Sequence, residues 1–214
     1  MKLSKGLGAI CTVLFILIAD QIFKIWIKTH MTIGEDIPIT SWFILRFVEN
    51  NGMAMGIEVM GKIFLTIFRI VASFAIIYYL YMLIKRNYQW MYILCVSLIF
   101  AGAAGNIIDS VFYGVIFSDS PVHYANLPNQ PAAIFPPEGG YGTWFHGKVV
   151  DMFYFPLFKF NWPSWMPFVG GEEFVFFQYI FNIADASISI GIITLILFYR
   201  KTFSASFEKK KIEN

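Results

Sequence analysis

The chain has 214 residues, of which 57% are hydrophobic and only 14% charged, and its formal net charge is +2. A soluble globular domain carries about a quarter charged residues, so this composition excludes one and points to an integral membrane protein. The small basic excess is a topology signal and gives no footing for nucleic-acid binding.

The first predicted element is a helix over residues 6–27, one of four stretches with the roughly twenty apolar residues needed to cross a hydrocarbon core. Lys2 and Lys5 ahead of an apolar run imitate a cleaved leader. The run, however, continues past Asp20 into Ile25-Trp26-Ile27 without a small-residue cleavage site, so a retained helix is expected. Too little apolar sequence precedes Cys11 for a lipidation cysteine, and Ile10 before it is too bulky. Cys11 and Cys95 both fall in membrane segments, where small, reduced, apolar roles are expected. Asp20 and Lys24, spaced i, i+4, can pair on one helix face.

Next comes an outer loop, about residues 29–62. Its alternating run from Ile37 to Val48 holds Trp42, Phe43 and Phe47 and ends in Glu49-Asn50-Asn51-Gly52, which predicts a short strand pair at the membrane surface. Helices follow over residues 63–84 and 88–108. The small residues Ala101-Gly102-Ala103-Ala104-Gly105 let another backbone approach the third helix closely. A second outer loop, about 110–176, has two parts. Residues 118–142 are rich in Pro, Gly and Asn and predict an irregular insertion, whereas 149–165 is aromatic enough to lie along the interface. The last helix is expected over 177–199.

Basic residues orient these spans. With both termini cytoplasmic, the inner side packs Lys2, Lys5, Lys85, Arg86, Arg200, Lys201 and Lys209-Lys210-Lys211 into short stretches, while Lys28, Arg46, Lys62, Lys148 and Lys159 spread over the long outer loops. Asp20, Asn106, Asp109, Asn182 and Asp185 then all fall toward the outer ends of their helices. Asp185 is the sole charge between Phe174 and Tyr199. A carboxylate inside a bilayer costs roughly 2.5–3.5 kcal/mol on insertion scales, which marks it as a functional candidate. Asn106 and Asp109, and likewise Asn182 and Asp185, are spaced i, i+3, amide and acid on one face. Asp151 lies in an apolar setting shortly before the last helix. Two aspartates brought together hold one proton between them, one acting as base toward water and the other as acid, which is the chemistry of aspartic proteolysis. His30, His123 and His146 show no metal-ligand spacing.

The segments Asp20-Gln21-Ile22-Phe23-Lys24, Asn50-Asn51-Gly52-Met53-Ala54-Met55-Gly56, Gly105-Asn106-Ile107-Ile108-Asp109, Val149-Val150-Asp151 and Phe181-Asn182-Ile183-Ala184-Asp185 resemble, in this order, those of the bacterial lipoprotein signal peptidases (signal peptidase II). Each is short, but five in sequence span nearly the whole chain. The resemblance implies an all-α integral membrane protein over residues 1–214: a four-transmembrane-helix bundle with a small extracytoplasmic β-like cradle and an inserted outer loop. It implies an aspartic endopeptidase of the bacterial inner membrane that removes signal peptides from prolipoproteins just before the diacylglyceryl-modified cysteine. Asp151 and Asp185 would be the catalytic pair, with Asn106 and Asn182 orienting them or holding substrate backbone. Asp109, Asp20 and Lys24 would support the site, and Asn50 and Gly52 would face the substrate. The partners implied are the prolipoprotein, membrane lipid and a globomycin-type inhibitor. The chain is expected to act as a monomer, with neither cofactor nor metal.

Three positions depart from the family pattern. Ser110 replaces a usual Arg, Met53-Ala54-Met55 replaces Ala-Ala-Phe, and the stretch between Asp109 and Asp151 is much longer than usual. The last raises Asp119 as a rival partner, but Ser118-Asp119-Ser120-Pro121 is polar turn sequence without the Val-Val-Asp context. Deleting the insertion, about residues 118–143, is expected to spare catalysis. The alternatives to an enzyme are an ion-coupled transporter, whose site would sit nearer the midplane, and a non-catalytic membrane adaptor.

Overall fold

The computed structural model describes residues 4–51, 62–124 and 130–207; Gly52 and the Met53-Ala54-Met55 departure lie outside them. Among the described residues three helices are long and apolar enough to cross a membrane: α1 (Lys5–His30), α2 (Lys62–Lys85) and α3 (Trp90–Ile116). Their surfaces are inverted relative to a soluble bundle. Phe15 on α1 is 71% exposed, as are many of its apolar neighbours, while Asp20, Lys24 and Lys28 on the same helix are fully buried. Backbone hydrogen bonds closed within each helix are what make such surfaces tolerable in lipid.

The last span differs from expectation. Helix α4 (Ile183–Phe198) begins six residues after the expected start at 177, because Ile180–Phe181 is instead the short strand β6, paired antiparallel with β3 (Val149–Tyr154). Its 16 residues reach only about 24 Å, short of a hydrocarbon core of about 30 Å. An 89° bend leads into α5 (Arg200–Phe207), so the fourth span exists if the bent pair is counted as one. Helix α3, by contrast, runs to Ile116, which places Asp109 within the helix.

The chain forms two compact units. The first comprises Met1–Asp20, Ile67–Ile107 and Ile183–Asn214. Its core gathers Ala9, Leu80, Leu83, Tyr92, Ile93 and Val96. Here α3 and α4 approach at the small residues: a Cβ on Gly102 would lie 2.2 Å from the Ala184 carbonyl oxygen, and one on Gly191 would lie 2.7 Å from that of Cys95. The close backbone approach expected of the Ala-Gly run is present.

The second unit comprises Gln21–Thr66 and Ile108–Asn182. Strands β1 (Asp36–Pro38) and β2 (Ile44–Asn50) fulfil the predicted strand pair and continue into a four-stranded sheet of order β1-β2-β3-β6. This sheet packs Phe47, Val150 and Met152 against Ile27, Met31, Tyr113 and Phe117. A separate hairpin, β4 (Phe158–Asn161) with β5 (Glu173–Phe176), was not anticipated, because its aromatic residues read from composition alone as an interfacial stretch. The described part of the insertion contains no helix and only isolated bridges, but it is tied down. Ala132 N–H donates to the Lys28 carbonyl, Tyr141 N–H to that of Phe117, and Ala132 and Ser120 are buried. Deleting the insertion would remove these bonds and this packing.

Candidate active site

Asp185 belongs to the first unit and Asp151 to the second. In the first, Asp185 occupies the opening turn of α4, where the helix dipole favours an acidic residue. Asn106 of α3 donates from Nδ2 to Asp185 Oδ1 at 2.8 Å. Asp20, fully buried on α1, accepts the Ala184 backbone N–H at 2.9 Å and so caps one of the N–H groups that α4 leaves without an intrahelical partner. Gly105 makes room for this carboxylate, since a Cβ there would stand 2.8 Å from Asp20 Oδ2.

In the second unit Asp151 is buried in the middle of β3. Pairing of Phe181 with Phe153 carries Asn182 to it, and Asn182 Nδ2 donates to Asp151 Oδ1 at 2.7 Å and to the Val150 carbonyl at 3.2 Å. Asn50 Nδ2 reaches Asp151 Oδ2 at 3.4 Å. That contact depends on a β-bulge: Leu45 pairs with Phe153 but Val48 with Asp151, so Arg46 and Phe47 together oppose Met152. Strand side chains alternate between faces. The extra residue therefore puts Asn50, instead of Glu49, on the face of Asp151.

Asp109 lies behind this strand. It is fully buried, 2.8 Å from Lys24 Nζ, and accepts from Gln21 Nε2 at 2.9 Å and from Val150 N–H at 3.2 Å. Gly147 lets the returning chain lie against α3, for a Cβ there would meet the Asp109 carbonyl oxygen at 1.9 Å. Ser110, where the family usually has Arg, is buried and its carbonyl accepts the Gly147 N–H. Sequence spacing nominated Asp20 for Lys24; the Asp109 partner, distant in sequence, was missed. Within each Asn-x-x-Asp motif the amide serves an acid elsewhere: Asn106 serves Asp185 and Asn182 serves Asp151. Asp119 has a different setting, with its side chain 74% exposed and paired with Lys148 at 3.3 Å.

Sequence reasoning also missed a charged cluster on the opposite face of β2. Glu49 forms ion pairs with buried Lys28 and, at 3.0 Å, with Lys148, and it accepts from Ser120 Oγ at 2.7 Å. Burial pushes the Glu49 carboxyl up, but the Lys28 ammonium and the hydrogen bonds from Lys28, Ser120 and Lys148 outweigh it and hold the group below the usual range. Burial likewise drives the Tyr141 phenol far up, only partly offset by the Lys148 N–H that donates to it. The available signal was the spacing of Gln21, Lys24 and Lys28, a polar stripe on one face of an otherwise apolar helix.

A family model described as signal peptidase (SPase) II matches residues 12–201. The chain belongs to the signal peptidase II family. A lipoprotein signal peptidase of Porphyromonas gingivalis is 51% identical over 211 residues, covering 98% of this chain and 90% of that protein. One of Amoebophilus asiaticus is 34% identical over 203 residues, covering 92% and 79%. A bacterial membrane enzyme solved by the in meso method at 2.3 Å superposes with a TM-score of 0.60 at 26% identity, covering 95% of this chain and 93% of that one. A signal peptidase II chain with three to four apolar helices is a multi-pass membrane protein, and the transporter alternative falls away.

Proposed function

We propose that this signal peptidase II chain is an aspartic endopeptidase that cleaves prolipoproteins before their diacylglyceryl-modified cysteine, with Asp151 and Asp185 sharing one proton. One acid takes a proton from water as it attacks the scissile carbonyl, and the other protonates the departing amine. The observation that carries this reading is the matched support of the two acids: each is gripped through one carboxylate oxygen by an asparagine amide, at 2.7 Å for Asp151 and 2.8 Å for Asp185. A primary amide neither gives nor takes a proton here, so it orients its carboxylate and leaves the proton to the pair. Asp20, through the start of α4, and Asp109 with Lys24, through the backbone of β3, are positioning groups. Asn50 contacts the substrate.

The chemistry of the substrate supports placing this work at a membrane boundary. Both the acylated cysteine and the signal helix are anchored in lipid, so the bond between them is presented near the headgroups. On this reading the chain is a monomer of the bacterial inner membrane, both termini are cytoplasmic, the acids face outward, and globomycin competes with the substrate. The test is cleavage of a diacylglyceryl-modified prolipoprotein by the purified full chain, beside the unmodified precursor. Turnover of the lipid-modified form alone, blocked by globomycin, is the expected result. Equal cleavage of both forms would overturn the substrate assignment. Tight binding without turnover would mark a silent family member, the adaptor alternative.

A further inference from the structure

The β4–β5 hairpin presents aromatic side chains to the outside. Phe158 pairs with Phe176 and Phe160 with Phe174, so these four share one face, with ring centroids 4.6 Å and 5.0 Å apart; Trp162 packs edge-on to Phe160 at 4.9 Å. Among the described residues this face remains largely open, and Phe158, Phe160 and Phe176 are all exposed. The opposite face carries Lys159, Asn161 and Glu173 with a single apolar residue, Val175. The hairpin is thus amphipathic, and an isolated two-stranded hairpin in water is marginally stable at best.

Its tip is ordered and apolar. Backbone bonds from Met166 to Pro163, Gly170 to Met166, Gly171 to Trp162 and Glu172 to Val169 close it. No charged residue occurs from Phe160 to Gly171. Within this closed tip Trp165 is 79% exposed and Phe168 fully exposed, the latter held at φ +71°, a left-handed backbone that a bulky residue adopts only when its surroundings compensate. Such side chains each bring about 150–250 Å² of apolar surface, and contiguous exposed patches of that kind mark interaction surfaces.

The aromatic face is also continuous, through neighbouring rings, with the exposed surface of a helix long and apolar enough to cross a membrane. Phe177, next after Phe176, contacts Phe181 at 5.8 Å; Phe181 contacts Phe153 at 6.0 Å, and Phe153 contacts Phe23 at 6.2 Å. Phe23 is an exposed residue of the membrane-spanning helix α1. Trp and other aromatic rings settle at the boundary between headgroups and acyl chains.

We infer that the β4–β5 hairpin is a membrane-dipping finger, which seats its aromatic face and the Trp165–Phe168 tip in the lipid interface. Aromatic burial holds it there. Lys159 is outnumbered by Glu172 and Glu173, so no attraction of basic residues to anionic headgroups contributes.

The experiment uses the full chain with Cys11→Ser and Cys95→Ala, in lipid nanodiscs. Nitroxide labels are attached through Trp165→Cys, Phe168→Cys or, as a control in the polar insertion, Glu138→Cys. Collision of each label with oxygen, which partitions into lipid, is compared with collision with a water-soluble nickel chelate. The ratio of oxygen to nickel accessibility at 165 and 168 is expected to exceed that at 138 several-fold, equally in phosphatidylcholine and in mixtures with phosphatidylglycerol. A ratio equal to that at 138 would mean the tip stands in water and would overturn the inference. Low accessibility to both reagents would overturn it as well, since protein, either a second copy or this chain itself, would then cover the tip. Depth gained only with anionic lipid would overturn aromatic burial as the cause.

Discussion

Asp185 and Asp151 are the same side chain on two scaffolds that achieve position by different physics. Asp185 rides a helix whose backbone lies against α3 because Gly102 and Gly105 bear no side chain, so its placement is set by volume. Asp151 rides a strand whose neighbours are set by a bulge and by the buried Lys24–Asp109 pair behind it, so its placement is set by register and charge. The lesson is that damage to one scaffold should be caused by added methyl groups, and damage to the other by lost charges.

The largest effect should come from Lys24→Met, which leaves Asp109 buried without its ammonium and should destabilise by roughly 3–5 kcal/mol. Thermal unfolding in detergent would read this, and unchanged stability would break the charge-based account of the sheet unit. Gly102→Ala is next. Its Cβ would overlap the Ala184 carbonyl, and overpacking costs about 1–3 kcal/mol, again read as thermal stability; a variant as stable as the parent would break the volume-based account of the helical unit. Asn106→Ala and Asn182→Ala sharpen the symmetry between the halves. Each should lower kcat about 10- to 100-fold, or roughly 1.4–2.7 kcal/mol, with KM little moved; a loss confined to one of them would show that the two amides are not equivalent.

The smallest is a pH signature at Glu49. Its pKa is depressed in the folded chain, so its contribution to stability is present above the ordinary carboxylate pKa and disappears as pH falls through the folded value. Glu49→Gln should therefore lower the unfolding temperature at neutral pH, and the difference from the parent should begin to shrink below the ordinary carboxylate pKa of about 4.3 and close only below the depressed folded value. A difference independent of pH would assign the effect to packing.

Much of this arrangement was legible from residue chemistry, because a carboxylate or amide in an apolar helix is conspicuous: Asp20, Asn106, Asp109, Asn182 and Asp185 announce themselves. Pairings that cross long stretches of chain, such as Lys24 with Asp109, were not, since no local spacing encodes them. Helix ends were blurred for a related reason. Ile180 and Phe181 are as apolar as the helix that follows, and only their pairing with β3 shows that they are strand. The bulge at Arg46–Phe47 left no mark in the alternating pattern, yet it decides whether Asn50 or Glu49 faces Asp151. Aromatic composition suggested an interfacial stretch near 149–165, but not that its second half turns into a hairpin with all four strand phenylalanines on one face.

The measurement that tests the central claim most directly is kcat for Asp151→Asn, Asp185→Asn and the double variant, each first shown to be folded and able to bind the lipid-modified substrate. Groups that act as one unit are strongly non-additive, so each single variant should fall by at least about a thousandfold and the double variant no further. Substantial turnover in either single variant, or a double variant whose loss is the product of the two single losses, would contradict a shared-proton pair.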